Sequence, residues 1–458
     1  MTASPPDRSD IKIVAVTDDP RGHWFAERVV TSDRSDLHLL GIAKLAQFVA
    51  APVAHLQILP IRQRDLPAEP LSRCEVTPRR CRVAVSLALA NPGEYVAGML
   101  EDRIRSWDGE EVVVRFDHLT GTWMFVCIHS RKLGPACGGT RMKTYPDLEG
   151  ALADAMKLSA AMTLKMAVAD MPFGGGKAVL AIPPAFAEDQ RTDLIKRYAD
   201  MVESLGGNFQ TGPDINTSIA DMDLIGERTR HVVCRSRERG GSGDPGPYTA
   251  RGVFHGICAS VNHAFGSPKL QGRSVLVQGV GDVGSRLAEQ LVAAGARVLI
   301  SDVATERVQR LVDSIGATPI PPEEVIGSDS DVYSPCALGG TLNAGTIPQL
   351  RCRIVAGSAN NQLAEPDDAD RLRAANILYA PDFVINAGGV LYAWGLEALG
   401  WSRETIDARH RGIGDTLANI YSAAERGGVS TEAAAIRIAA ARLSAGDRAA
   451  TSNQRGRL

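Results

Sequence analysis

The sequence predicts an α/β chain with two domains around a cleft, one built on a mixed sheet and the other on a parallel, doubly wound sheet. Three observations lead there. Two β-rich runs, 112–116 and 123–127, bracket Leu119-Thr120-Gly121-Thr122 and read as an antiparallel hairpin. Beyond residue 247, apolar strand-like runs alternate with helical segments, the pattern of parallel βαβ units. Between these regions, Gly240-Gly241-Ser242-Gly243-Asp244-Pro245-Gly246-Pro247 continues neither pattern and reads as a hinge.

Composition narrows the class. The chain has 458 residues, 44% hydrophobic and 22% charged, which excludes wholesale disorder and allows two or three domains. Fifty basic residues against 53 acidic ones leave a net charge of −3, giving no bulk electrostatic case for nucleic acid or an anionic membrane. The opening residues lack the cationic start and apolar core of a signal peptide, and no apolar run reaches the ~18 residues a membrane helix needs. Eight cysteines without a CxxC pair read as buried thiols in a reducing compartment, so a cytoplasmic location is expected. Nine histidines show neither HExxH nor HxH spacing, so no metal site is expected.

Taken in order, residues 1–105 carry a Pro- and Asp-rich start and no chemical motif. They read as an extension of unknown role, either a fragment of a sensor module or a disordered leader before a start at Met99. Residues 106–241 form the expected substrate-binding and catalytic domain, with a helix over 147–162, a glycine run leading into a strand over 178–182, and helices over 189–205 and 219–228. Residues 242–390 form the second domain, with strands over 274–278, 297–301, 331–333, 353–356 and 377–379. Residues 391–458 are expected to be helices packing back on the catalytic domain, among them an Ala-rich amphipathic segment over 431–443.

The strand 274–278 leads into Gly279-Val280-Gly281-Asp282-Val283-Gly284 and then into a helix over 285–294. That is G-x-G-x-x-G in the context a dinucleotide requires. The first glycine permits the tight turn, the second lets backbone approach a pyrophosphate, and the third allows close helix–strand packing. The helix N-terminus then presents free N–H groups to the phosphates. The next strand ends at Asp302, eighteen residues beyond Gly284. A carboxylate there accepts hydrogen bonds from both ribose hydroxyls and repels a 2′-phosphate, so the second domain is read as Rossmann-type and its cofactor as NAD rather than NADP.

Two lysines stand twelve positions apart, Lys165 after Met162-Thr163-Leu164 and Lys177 after Gly174-Gly175-Gly176. Three glycines let the backbone before Lys177 approach a ligand closely. Two ammonium groups brought together and partly desolvated would depress one pKa towards neutrality and yield a base, although the spacing alone also fits two ordinary solvated lysines.

The motifs taken together resemble the glutamate/leucine/phenylalanine/valine dehydrogenase family over roughly residues 106–440. The matching pieces, in family order, are Gly134-Pro135-Ala136-Cys137-Gly138-Gly139-Thr140-Arg141, Met162-Thr163-Leu164-Lys165, Gly174-Gly175-Gly176-Lys177, Gly212-Pro213-Asp214, Pro335-Cys336-Ala337, Ala356-Gly357-Ser358-Ala359-Asn360-Asn361 and the run from Pro381 through Asn386 to Gly389. The resemblance implies roles. Lys165 would bind the substrate carboxylate. Lys177 would be the general base that activates water, and Asp214 would hold the amino group and relay protons. Gly138, Gly139, Met162 and Pro213 would line the site, and Asn361 would orient substrate and nicotinamide. Thr249, Asn360 and Asn386 would join Gly279, Gly281, Asp282, Val283, Gly284 and Asp302 around the cofactor. The form around Thr211–Thr217 is most similar to bacterial phenylalanine dehydrogenases.

The substrate side chain is expected to meet Cys137, where glutamate-specific members of the family carry a lysine, so glutamate is disfavoured. Gly212, Val390 and Ala393 are expected opposite, leaving room for a ring. The expected activity is reversible oxidative deamination of a hydrophobic L-amino acid, phenylalanine favoured, by a homo-oligomer. A leucine or valine dehydrogenase is the alternative, and an NAD-binding regulatory protein gated by a sensor segment is the alternative of another class.

Overall fold

The computed structural model describes residues 12–18, 24–30 and 103–455; for 12–18, 24–30 and the stretch from 446 onwards it describes backbone only. The expectations for a sensor fragment, a disordered leader and a start at Met99 lie almost wholly outside these residues. Strands β1 (Lys12–Asp18) and β2 (Trp24–Val30), however, belong to the first sheet, so that sheet draws on chain that the sequence reading left as an extension.

The first sheet has seven strands in the order β2-β1-β3-β4-β6-β5-β7. Strands β3 (Glu111–Asp117) and β4 (Thr122–Ser130) form the expected hairpin, paired antiparallel from Glu111–Ile128 to Asp117–Thr122. Strand β6 (Gly174–Ala181) pairs antiparallel with β4 and parallel with β5 (Ala136–Lys143), and β5 pairs parallel with β7 (Phe209–Pro213), so the sheet is mixed. Helix α1 (Leu148–Val168) packs on β6 and β4. Asp147 caps it by accepting from the Gly150 N–H at 2.7 Å. The helix runs six residues past the expected end at Met162, because nothing breaks it before Asp170 (φ 55°) and Pro172, and this carries Lys165 onto the helix.

The glycine run is a second departure. Gly174–Gly176 is the start of β6 rather than a loop before it, and every residue of that strand is buried. Position 174 faces the Ser130 carbonyl oxygen, 1.9 Å from where a Cβ would sit; position 175 faces the Thr163 backbone N at 2.1 Å. Only a residue without Cβ lets β4 and α1 approach that closely, so the close approach the run allows is made here by the protein's own backbone. Helices α2 (Arg191–Ser204) and α3 (Ile219–Gly226) complete this region.

Helix α4 (Gly246–Phe265), entered through the expected hinge, leads to the second sheet. Its six strands, β8 (Ser274–Gln278), β9 (Arg297–Ser301), β10 (Thr318–Pro319), β11 (Val332–Pro335), β12 (Ile354–Val355) and β13 (Leu378–Tyr379), are all parallel in the order β10-β9-β8-β11-β12-β13. Helices α5 (Asp282–Ala293), α6 (Thr305–Ile315) and α7 (Asp368–Ala374) link them. Helix α5 starts at Asp282, three residues before the expected start, so Asp282, Val283 and Gly284 form its first turn. After the short α8 (Asp382–Ile385) come α9 (Gly388–Glu397), α10 (Arg403–Gly427) and α11 (Thr431–Arg455); α10 packs on α4 and α11 on α1 of the first region. Among the described residues no helix is long and apolar enough to cross a membrane.

Candidate active site

Strand β5 lies between β6 and β7, and the candidate site is built across it. Lys177 comes from β6 and Asp214 follows the last residue of β7; Lys177 Nζ lies 3.0 Å from Asp214 Oδ2. The pair meets over Gly139, where a Cβ would sit 2.5 Å from the Pro213 carbonyl oxygen and 2.9 Å from the Asp214 Cβ. A Cβ at Gly138 would lie 1.9 Å from the Gly176 carbonyl oxygen. Both glycines are therefore fixed by the approach of neighbouring strands. Arg141, two residues further along β5, donates from Nε to Asp214 Oδ2 at 2.8 Å and from Nη1 to Asp154 Oδ2 at 2.9 Å. Tyr145 donates to Asp154 Oδ2 as well, at 2.6 Å. Arg141 belongs to a quoted motif, but no role followed for it from sequence; a partner for Asp214 becomes visible only when β5 and β7 are paired.

The electrostatics follow from this packing. Burial pushes the Asp214 carboxyl up, but Lys177 and Arg141 together outweigh it and hold it at about 2. Lys177 is lowered below the usual lysine range by burial, with Arg141 pushing the same way and Asp214 opposing. Lys165 is brought down to about 8 by burial; Asp382 holds it up, while Lys177 pushes it further down. Asp382, partly buried and raised by desolvation, accepts the Gln362 N–H at 2.8 Å. No role followed for it from sequence either.

Lys165 reaches across to the second region, donating to Asn360 Oδ1 at 3.4 Å, and Asn386 Nδ2 donates to the same oxygen at 2.8 Å. The asparagine that meets Lys165 is thus Asn360, whereas Asn361 takes a left-handed backbone (φ 51°) with its carbonyl against Gly339. Met162 is partly buried on α1, and Pro213 ends β7 opposite Thr140. Thr249 lies in the first turn of α4, its hydroxyl donating to the Pro245 carbonyl and packed against Gly389.

At the glycine turn the three glycines differ in what surrounds them. Gly279 has φ 91°, and a Cβ on it would lie 2.6 Å from the Ala337 Cβ; one on Gly284 would lie 1.9 Å from the Gly279 carbonyl oxygen. At Gly281 only Arg307 Nη1 comes within range, at 3.8 Å, so the backbone there is open to a ligand. Asp302 steadies the turn, accepting the Val280 N–H on Oδ2 and the Ala304 N–H on Oδ1, each at 2.8 Å. Asp282, at the helix start, pairs with Arg286; burial raises its carboxyl and Asp244 adds to this. The turn, the open backbone at Gly281 and the free N–H groups of α5 fit a dinucleotide.

Two family models match in chain order: Glu/Leu/Phe/Val dehydrogenase, dimerisation domain, over residues 114–231, and Glutamate/Leucine/Phenylalanine/Valine dehydrogenase over 300–450. A leucine dehydrogenase of Bacillus cereus is 41% identical over 340 residues, spanning 74% of this chain and 92% of the relative. The chain belongs to the Glu/Leu/Phe/Val dehydrogenase family.

Within that family, a valine dehydrogenase of Streptomyces virginiae is 41% identical over 356 residues, covering 76% of this chain and 98% of the relative. The crystal structure of L-tryptophan dehydrogenase from Nostoc punctiforme superposes with a TM-score of 0.65 at 38% identity, covering 76% of this chain and 99% of that one. The chain is thus an amino-acid dehydrogenase of a family that works with NAD(P). These relatives are leucine, valine and tryptophan dehydrogenases; none of them is a phenylalanine dehydrogenase.

Cys137 is fully buried and its thiol points at the Gly174 carbonyl oxygen at 3.6 Å, with burial pushing the thiol pKa well up. Val390 is partly buried and Ala393 buried on α9. The space beside Gly212 is filled by the next residue, Trp394, whose Cη2 lies 3.2 Å from where a Gly212 Cβ would sit. The Val233 Cγ2 lies equally close, at 3.2 Å, so the missing side chain at 212 leaves room for the protein's own indole and a valine methyl.

Proposed function

We propose that this enzyme catalyses the reversible, NAD-dependent oxidative deamination of a branched aliphatic L-amino acid, leucine or valine, to its 2-oxo acid and ammonia, and that it does so as a homo-oligomer. The observation that carries the chemistry is the buried Lys177–Asp214 pair with Lys165 beside it. Leucine or valine is favoured over phenylalanine by the names of the similar enzymes and by Trp394 occupying the space at Gly212. The dimerisation-domain match over 114–231 supports the oligomer.

The chemistry supplied by a bound nicotinamide is acceptance of hydride from the substrate Cα. Gly279, Gly281, Gly284, Asp282, Val283 and Asp302 would hold the dinucleotide, with Thr249, Asn360 and Asn386 towards its reactive end. A carboxylate at Asp302 favours NAD over its 2′-phosphorylated form. Lys165 as the cation fixes the substrate carboxylate and so aims the Cα–H bond, a proximity contribution. Neutral Lys177 Nζ takes a proton from the water that adds to the imino acid. Asp214, ionised at any working pH, accepts from the substrate amino group and stabilises the lysinium that forms. Arg141 keeps Asp214 ionised and aimed. Cys137, Gly138, Gly139, Met162, Pro213, Asn361, Val390 and Ala393 would enclose the substrate; none supplies a charge opposite its side chain, so a buried glutamate carboxylate would stand unpaired at a cost of several kcal/mol.

The test is kcat/KM for L-leucine, L-valine, L-phenylalanine, L-tryptophan and L-glutamate with NAD. The expected order puts leucine or valine first and glutamate last. Phenylalanine or tryptophan in first place overturns the substrate assignment, and no turnover with any of them overturns the reaction.

A further inference from the structure

A cavity of about 550 Å³ opens beside the hinge, and none of its lining residues belongs to the site described above. Its walls come from both stretches of chain that join the two sheets. Arg237 and Ser242 precede α4 on the outward crossing; Tyr248 and Arg251 lie on α4, Tyr392 on α9 and Arg403 on α10 of the return. Three guanidinium groups thus meet the single carboxylate of the lining, Asp407, which Arg251 already engages.

The floor is built and rigid. The Tyr248 and Tyr392 rings stack with centroids 3.4 Å apart and planes 8° from parallel, and the Arg251 guanidinium lies 5.7 Å from the Tyr248 centroid. The Ser242 carbonyl accepts from the Tyr392 hydroxyl at 2.8 Å, and its N–H donates to Glu397 Oε1 at 2.8 Å. The nearby Glu397 carboxylate is also held by the Cys234 N–H, at 2.7 Å, so two backbone donors answer its charge. The Ser242 hydroxyl differs from its backbone. It is buried, with the residue 1% exposed, and its one partner is the weak Cys234 thiol; no nitrogen or oxygen atom pairs with it. A buried hydroxyl whose one partner is a thiol, among the residues of a cavity lined by three arginines, is a donor that a stronger oxygen acceptor would take.

We propose that this cavity binds a small polyanion of the organic-phosphate class, with Arg237 and Arg403 as charged anchors and the Ser242 hydroxyl as the buried donor. Arginine forks match phosphate oxygens in pairs. Because the ligand touches both linkers at once, its occupancy acts on the hinge to the extent that its affinity differs between hinge positions. The proposal does not depend on which amino acid is the substrate.

Inorganic pyrophosphate is the probe, titrated by calorimetry into the full-length protein at constant ionic strength, with and without saturating NAD. The expected result is one saturable site per chain that persists with NAD bound and weakens at least about tenfold in the double variant Arg237→Gln/Arg403→Gln. Turnover without pyrophosphate stays unchanged in that variant. Arg426→Gln, an exposed arginine outside the cavity, leaves binding as it was, which separates anchoring from general charge. Ser242→Ala, which keeps every arginine, weakens binding as well. Absence of saturable binding, loss of binding when NAD is added, or full binding by the double variant overturns the assignment.

Discussion

Lys177 and Asp214 meet at 3.0 Å although a whole strand separates the two strands that carry them. They bridge over Gly139 because nothing projects from β5 at that point. Strand order, a missing Cβ and an ion pair are thus one feature, and the chemistry assigned to the pair depends on all three.

The pH profile follows from the pair. Lys177 must be neutral to act as base, so kcat/KM for deamination rises with pH through its folded-state pKa, which burial lowers and Asp214 raises. Replacing Asp214 with Asn removes the opposing influence. The rising limb is expected to move to lower pH while the rate falls, as read from kcat/KM across pH; a limb that stays in place shows that another group titrates.

Gly175→Ala tests the packing beneath Lys177. A Cβ there would lie 2.1 Å from the Thr163 backbone N and 2.2 Å from its hydroxyl oxygen, so β6 and α1 must separate. The expected loss of stability is about 3 kcal/mol, near the upper end for overpacking, together with a drop in kcat. Denaturant unfolding measures the first, and a variant as stable as the parent refutes the close approach.

The proposed preference for NAD is assigned to Asp302. Its carboxylate accepts two backbone N–H groups, from Val280 and Ala304, and so links the turn to the end of β9. Asp302→Ser is expected to weaken NAD binding and relax exclusion of the 2′-phosphate, measured as the Kd ratio of NADPH to NADH. Equal affinities in the unaltered enzyme contradict the role of Asp302.

Trp394→Ala tests the substrate pocket. Removing a buried indole costs about 3–5 kcal/mol, so the informative quantity is a ratio rather than a rate. The Phe/Leu ratio of kcat/KM is expected to rise as the space at Gly212 opens; an unchanged ratio shows that the indole does not bound the pocket.

How much of this was legible in the sequence depends on which residues have to meet. The glycine turn, its contact with Asp302 and the flanking strand and helix were readable because such a turn is local, its parts fixed within one βαβ unit. Lys165, Lys177 and Asp214 were readable by resemblance, but not the pair they form, since that needs the order β6-β5-β7. The run Gly174–Gly176 shows in sequence that something comes close, but not what: here it is β4 at Gly174, α1 at Gly175 and Phe209 of β7 at Gly176. Arg141, Asp382 and Asn360 acquire partners only through contacts distant in sequence. Trp394 was missed for the opposite reason: an apolar residue on a buried helix carries no signal of which cavity it fills.

The central claim is that Lys177 is the base of an amino-acid dehydrogenase, and Lys177→Ala measures it most directly. Steady-state NADH formation from L-leucine is compared with equilibrium binding of NADH for the enzyme and the variant. A general base contributes on the order of 10²–10⁴-fold, so turnover is expected to fall by that factor while NADH affinity stays nearly unchanged. A variant that keeps turnover within about tenfold of the parent, with its fold and NADH binding intact, contradicts the assignment.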